Sequence, residues 1–396
     1  MPSDSSYWIV SVPVQEEKSA QQMYQDVSQR LVKDGAADSS DLAPLPFPSF
    51  KTGTLESLLS LSEDLPKTES LFESVVNRIV DALRSLFNDD AQAMNEHLMI
   101  EDESVEEYLM HWRWNATKYR ADRPLPDLIE TLSKEMQTID NVMKQKLNNY
   151  NLTKGQLQQL ERKKHGNLSM CSLADIVQKD DVVDQKSDFL TTLLVVVPKN
   201  LRKNWLDSYE RLTAMVVPRS SNELAKDEEY FLFNVTLFKK VEQQFIQKAR
   251  EHKFQVRDFV YDQKQLQRER EELDEAGASE KQLWTELVRL SRANFADAYQ
   301  ALIHYRVLRT FIESVLRFGL PPNYSAVVIC PNARKVKQLL KSLVSEYAYL
   351  DEYLGKEETK SKNDSGPSQE TPGEYTNLLE QEVYPFVLTE QPMIVV

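Results

Sequence analysis

The sequence predicts an α+β, mostly helical protein. It is drawn as an elongated dumbbell whose two α/β globular ends, a head and a foot, are joined by a long antiparallel helical neck. Three observations predict this. Two stretches, Pro126 to His165 and Gln263 to Phe318, keep a helical apolar period over 40 residues or more. Strand patterns lie between them and again at both chain ends. Glycine is scarce, 9 residues in 396 against a typical usage of roughly 7%. That scarcity suits helix interiors and disfavours a catalytic site built from tight loops.

The first element is a strand, Tyr7 to Val12, ended by Pro13, and a helix over Glu16 to Lys33 follows. Asp38 to Phe50 is rich in Ser and Pro and reads as an extended connection. A short helix begins at Leu55, and a longer one runs from Glu69 to Phe87. Asn88 to Glu107 holds eight acidic residues and no Lys or Arg, a solvated surface or an acidic docking patch.

In the first long helix Met136, Met143, Tyr150 and Leu157 recur every seven residues, and Arg162 to His165 followed by Gly166 is a strong stop. In the second, Gly277 is a point where the helix could bend, and Gly319 with Pro321 and Pro322 ends it. Between them lie strands Phe189 to Val197, Tyr230 to Phe238 and Phe254 to Tyr261, with helices over Asn200 to Ala214 (Asn200 as N-cap) and Val241 to Lys253. Beyond Pro322 come a strand from Ala326 to Cys330, a basic helix from Asn332 to about Tyr353, and a last strand from Val383 to Leu388.

The expected domains are therefore a foot (1–125 and 301–396, with a mobile loop at 356–374), an ascending neck helix (126–166), a head (167–262) and a descending neck helix (263–300). The loop expectation rests on a composition low in hydrophobic residues and rich in Ser, Lys, Glu and Pro.

Composition excludes several classes of function. Hydrophobic content of 41% and charged content of 28% are those of a globular chain. A net charge of −14 speaks against nucleic-acid binding. No apolar run approaches the ~20 residues of a membrane span, so direct membrane insertion is not expected. No GxxxxGK[ST] or GxGxxG occurs, and the five histidines form no HExxH or HxH pair. Cys171 and Cys330 have no metal-type spacing. Neither a cofactor, a metal nor a catalytic residue is expected.

The candidate sites are partner contacts. Trp112 and Trp114 in HWRW are interface anchors or core residues. Arg334, Lys335, Lys337 and Lys341 make one side of the late helix basic, a solvated face or a surface for an acidic partner. Arg219 opens a turn with Ser220 and Ser221, either a phosphorylation loop or a plain turn. His304, amid Leu302, Ile303 and Tyr305, reads as a packed, hydrogen-bonded histidine. Cys171 follows a basic stretch that could lower a thiol pKa, yet it lacks an evident acceptor.

Several collinear segments resemble one family. Glu161 to Val177 (ERKKHGNLSMCSLADIV), Phe189 to Lys199 (FLTTLLVVVPK), Met215 to Ser221 (MVVPRSS), Asn234 to Val241 (NVTLFKKV), Lys253 to Tyr261 (KFQVRDFVY) and Ile303 to Tyr324 (IHYRVLRTFIESVLRFGLPPNY) are similar to the C-subunit of the eukaryotic vacuolar proton-pumping ATPase (V-ATPase). Trp8 to Ser11 and Gly53 to Leu55 are similar to family positions more loosely; the connection before Phe50 and the loop after Gly355 do not follow the pattern.

The resemblance implies a non-catalytic stator connector. In the family, the head holds one heterodimeric stalk of E- and G-subunits, and the foot meets a second stalk and the N-terminal cytosolic domain of the membrane-sector a-subunit. Members leave the pump when it is reversibly disassembled, and some bind actin. It also implies a cytoplasmic location, peripheral on the cytosolic face of endomembranes. Helical patterning alone fits a second class as well, an independent coiled-coil adaptor of the cytoskeleton.

Overall fold

The computed structural model describes residues 2–173, 176–182, 187–259, 263–353 and 384–394. It divides into two compact units, Met1–Lys146 with Val288–Val396, and Leu147–Leu287. The loop expected at 356–374 lies outside the described residues.

The chain opens with β1 (Ser6–Pro13) and α1 (Ala20–Lys33). α1 starts later than the sequence pattern suggests because Ser19 caps it. The Gln22 N–H donates to Ser19 Oγ at 3.2 Å, and the Ser19 N–H donates to Gln22 Oε1 at 2.8 Å. The Ser/Pro-rich connection contains a 3₁₀ turn, Ser39–Asp41, and then a short strand, β2 (Leu42–Leu45). Pro44 is tolerated there because β2 lies at a sheet edge, where one missing N–H need not break a ladder.

The two helices expected between Leu55 and Phe87 are one, α2 (Leu55–Phe87), with Pro66 inside it. An interior proline costs a helix ~3 kcal/mol. Here Pro66 is exposed, while Leu58, Leu65, Phe72, Val76 and Ile79 continue one buried face on either side of it. Burial of such side chains is worth ~1.5–3 kcal/mol each, so the shared core outweighs the local defect.

The acidic run then forms α3 (Ala91–His97), a hairpin of β3 (Met99–Ile100) and β4 (Glu103–Ser104), and α4 (Val105–Met110). Several of its carboxylates are occupied locally. Asp90 accepts from the Gln92 and Ala93 N–H groups, Glu107 accepts from the Ser104 N–H, and Glu101 accepts from Gln300 Nε2 at 2.9 Å.

The long helix α5 (Leu125–His165) carries the chain into the second unit. There β5 (Leu190–Pro198), α6 (Arg202–Ser208), β6 (Glu223–Lys226), β7 (Tyr230–Phe238), α7 (Glu242–Glu251) and β8 (Gln255–Arg257) form an antiparallel sheet in the order β6-β7-β5-β8 with helices on one face. Strand alternation separates two cores. Val195, Val197, Phe233 and Val235 face Trp205 and Phe245, whereas Leu194, Val196 and Leu232 face Leu168, Cys171, Leu173 and Val177.

Asn200 does not cap α6. It sits inside a 3₁₀ turn, Lys199–Leu201, that leads from Pro198 straight into the helix, and a matching turn, Lys239–Val241, precedes α7. The strand pattern also differs from expectation in two places: β6 is an additional strand, and β8 ends at Arg257, before Asp258 and Phe259; Val260 and Tyr261 of the expected strand lie outside the described residues.

The chain returns through α8 (Gln263–Phe318), which passes Gly277 without a break. β9 (Tyr324–Ile329), α9 (Val336–Glu346) and β10 (Val387–Pro392) complete the first unit. The basic helix is shorter than expected: Asn332 Oδ1 takes the Arg334 N–H in a turn, and Ala348–Tyr353 is 3₁₀. Val383, where the last strand is expected to begin, lies outside the described residues; the Tyr384 and Phe386 carbonyls accept from Arg317, and pairing with β1 starts at Val387.

The sheet of this unit is antiparallel, in the order β10-β1-β9-β2. Trp8, Val10 and Val12 pack with Met23, Val27 and Leu31 of α1 and with Leu339 and Leu343 of α9. On the other face Ser314 of α8 donates to Ser11 at 2.8 Å and Thr310 donates to Thr389 at 2.9 Å. Burial on both faces accounts for the apolar run Tyr7 to Val10 in β1. Among the described residues no helix is long and apolar enough to cross a membrane.

Candidate partner-contact surfaces

The two tryptophans of HWRW pack within the first unit, while His111 and Arg113 are exposed. Trp112 is 3% exposed and Trp114 is half-buried. Their ring centroids lie 5.2 and 4.9 Å from that of His304, and Tyr119 adds a third ring at 4.8 Å. Trp114 Nε1 donates to the Tyr119 carbonyl, and Phe50 meets the Trp114 ring edge-on at 4.8 Å. Trp112 and Arg113 also line a groove of about 1140 Å³ with Tyr24, Phe47 and Tyr324.

His304 is neutral by construction. Its Nε2 accepts the Asn115 N–H at 3.0 Å, which leaves the ring proton on Nδ1 to donate to the Gln300 carbonyl at 2.7 Å. Burial pushes its pKa down to about 4; the Gln300 hydrogen bond opposes this, and Lys118 adds to it. A base with both nitrogens engaged inside a ring of aromatic side chains is structural.

A buried ionic network that no sequence pattern announces ties α2 to α8 and β10. Arg306, 1% exposed, donates to Glu69 at 2.6 Å and also bonds Glu73 and Gln391. Arg309 bonds Glu69 and, at 2.7 Å, Glu313. The only signal available in the sequence is the placement itself, since Glu69 and Arg306 sit on otherwise apolar helix faces. Nothing in the chain's local pattern says that residues 237 positions apart are partners.

The thiols are quiet. Burial raises the Cys171 pKa against the lowering effect of nearby Arg257, and Cys330 is pushed up to about 11 chiefly by burial. Ser220 and Ser221 are engaged inward: Ser220 Oγ accepts from the Thr236 N–H, and Ser221 Oγ accepts from Trp205 Nε1 at 3.0 Å. The segment after Arg219 is thus a tied-down turn. Arg219 itself is exposed at φ 57°, with its N–H given to Glu210.

The late basic helix behaves differently. Arg334, Lys337 and Lys341 are exposed and Lys335 is half-buried, and none of the four side chains has an acidic partner among the described residues. On helical spacing Lys337 and Lys341 share one side of α9, and Arg334 lies in the turn just before it. This is a cationic stripe on a chain of net charge −14. Among the described residues no group of three or more His, Cys, Asp or Glu is placed to hold a metal ion.

Comparisons with known proteins show what kind of chain carries these features. The family model for the V-ATPase C-subunit matches residues 7–387. The chain is 37% identical over 383 residues to the V-type proton ATPase C-subunit 1 of Xenopus tropicalis, covering 97% of each protein. It is 38% identical to the Rattus norvegicus protein of the same name, again over 97% of each. A crystal structure of the cytoplasmic N-terminal domain of the I-subunit, homolog of the V-ATPase a-subunit, aligns over 85% of this chain and 97% of that one. Its TM-score is 0.28 at 12% identity, too low to bear on the fold. On the family model and these relatives together, the chain belongs to the V-ATPase C-subunit family, the non-catalytic accessory subunits of the proton-pumping ATPase.

Proposed function

We propose that this chain is a connector in the stator of the pump, holding heterodimeric E–G stalks on one side and the N-terminal cytosolic domain of the membrane-sector a-subunit on another. In this reading residues 167–262 form the head that takes one stalk. Residues 1–125 and 301–396 form the foot that meets a second stalk and the a-subunit, and the two helical stretches between them act as the neck of a dumbbell. The protein works on the cytosolic face of endomembranes and leaves when the pump is disassembled.

The observation that carries the reading is the division into two compact units, each with its own sheet and core, connected through α5 and α8. Two binding ends on one body raise each other's effective concentration. Modest contacts then hold firmly in the assembled pump, and releasing one end forfeits the gain. Firm yet reversible attachment is what a dismountable stator requires, and paired helices suit the transmission of torque.

The cationic stripe of Arg334, Lys335, Lys337 and Lys341 favours a second, compatible activity, the docking of an acidic partner such as filamentous actin. Arg219 is a further proposed contact. The test of the main reading is deletion of the gene followed by complementation. Acidification of the organelle should fail without the chain and return with it, and the complementing protein should co-purify with the E- and G-subunits. Normal acidification in the deletion strain defeats the proposal.

A further inference from the structure

Among the described residues no carboxylate lines the groove beside Trp112, in a chain that carries 62 Asp and Glu. Its walls are the half-buried rings of Tyr24 and Phe47, the ring of Tyr324, and Pro44, Pro46 and Pro48. These walls are fixed in place. Tyr24 Oη donates to the Leu42 carbonyl at 3.1 Å, Phe47 meets Phe311 edge-on with centroids 5.6 Å apart, and Tyr324 donates to the Gly319 carbonyl. A partner therefore meets a surface that needs little ordering on binding.

Among the described residues Arg113 is the one Lys or Arg that lines the groove. It is exposed and has neither ion pair nor hydrogen bond among them. His111 beside it already lies 3.8 Å from Glu103. An unpaired guanidinium with no carboxylate around it favours an anionic partner. A carboxylate fits best, since a guanidinium grips it through two parallel hydrogen bonds.

The backbone along the groove is closed to an added strand. The Cys330 N–H donates to the Asp41 carbonyl at 2.8 Å, and hydrogen-bonded pairs alternate along an antiparallel ladder. Ala43 and Leu45 therefore turn to β9, while Leu42 and Pro44 face outward. Pro44 has no N–H to give, and the Leu42 carbonyl is taken by Tyr24. What remains is a surface of rings and prolines. Aromatic-lined grooves of that kind take polyproline II segments, whose preformed backbone loses little entropy on binding. Gln21, Gln25 and Asn323, exposed and lining the groove, can donate to the free carbonyls of such a segment.

We propose that the groove of Tyr24, Phe47 and Tyr324 docks an extended proline-rich segment of a partner protein, with an acidic residue of that segment on Arg113. The site adds to the connector reading and does not depend on it.

The test is a peptide array probed with the full-length chain. It holds proline-rich decapeptides with Glu at each position in turn, the same set with Gln, and helix-forming peptides rich in Glu and Ala. Proline-rich peptides with Glu should be retained. Replacing that Glu by Gln in the best of them should weaken binding about tenfold by fluorescence anisotropy. Arg113→Gln changes an exposed, unpaired side chain, so it should leave the melting temperature unchanged and abolish the preference for Glu over Gln. Phe47→Ala should weaken both peptides alike. The paired comparison isolates the contact of Arg113 with the carboxylate from any general loss of fold. Capture of no proline-rich peptide overturns the proposal, as does a Glu preference that survives Arg113→Gln. Stronger capture of the helical peptides would seat a helix there instead, and a dimer in sedimentation that Arg113→Gln disperses would seat a second copy. Either result overturns it.

Discussion

The main-chain N–H of Asn115 donates to Nε2 of His304 at 3.0 Å, so a loop of the first unit is held by a neutral imidazole. Protonation of that nitrogen removes the acceptor and places a cation among Trp112, Trp114 and Tyr119, with the ammonium of Lys118 nearby. Glu135 accepts from Tyr119 at 2.8 Å and pairs with Lys118, and Asp297 lies 3.2 Å from Lys118. These carboxylates are already committed to other groups.

The consequence is a pH dependence of known sign. A histidine whose pKa falls from 6.5 unfolded to about 4 folded stabilises the protein fully above the unfolded value. That stability drains away as pH falls from about 6.5 towards 4, by about 3 kcal/mol in total. Urea unfolding at pH 7.5 and at pH 5 measures it. The loss on acidification should be smaller in His304→Gln than in wild type, because the remaining carboxylates contribute equally to both. Equal losses would show that the imidazole is not the titrating group.

The network around Arg306 invites a different experiment. Arg306 and Glu69 are 1% and 5% exposed, and removing one member leaves its partner's charge buried and unpaired. Such a loss costs ~3–5 kcal/mol. Glu69→Ala and Arg306→Ala should each lower the denaturation free energy by about that amount. Arg309→Ala should cost less, because Arg309 is more exposed and Glu69 retains Arg306. A double mutant Glu69→Ala/Arg306→Ala whose loss equals the sum of the two single losses would count against a coupled pair.

How far the sequence reveals this protein depends on the range of the interaction. β7, the end of α8 and the stop of α5 follow from short-range signals: β-branched alternation, Gly319 before prolines, and a basic last turn before Gly166. α2 reads as two helices in sequence because Pro66 is a strong local signal, whereas the buried face that overrides it is a tertiary fact. β6 leaves little trace in sequence, since Glu223–Lys226 is an edge strand with one neighbour and little apolar content. The surfaces are least legible. Phe189 reads as the first residue of a buried strand, and only the register Leu190↔Phe238 shows that the ladder starts after it. Trp112 and Trp114 read equally as anchors or core, and the ring of His304, about 190 residues away in sequence, decides for packing.

The glycines of the long helices differ in the sign of their expected effect. A Cβ placed at Gly155 or Gly277 meets no atom within 4 Å, and neither has a left-handed backbone. Alanine should therefore stabilise each helix by ~0.5–1 kcal/mol. At Gly166 the same atom would lie 2.7 Å from the Arg162 carbonyl oxygen, so Gly166→Ala should destabilise. Melting temperatures of the three variants should rise, rise and fall; a fall at Gly277 would mean that the helix needs a bend there.

Charge reversal on α9 should separate binding from folding. Arg334, Lys337 and Lys341 have no acidic partner among the described residues, so their charges contribute little to folding. Reversing two of them, Lys337→Glu and Lys341→Glu, should leave stability within about 0.5 kcal/mol of wild type. Binding to an acidic surface should respond strongly, since a like-charge contact replaces an attractive one and the attraction is screened by salt. Co-sedimentation with actin filaments at low and at physiological salt measures this. Wild type should pellet with the filaments, more so at low salt, and the variant should stay in solution at both. If the variant pellets as well as wild type, the cations are ordinary solvated surface and the acidic partner binds elsewhere.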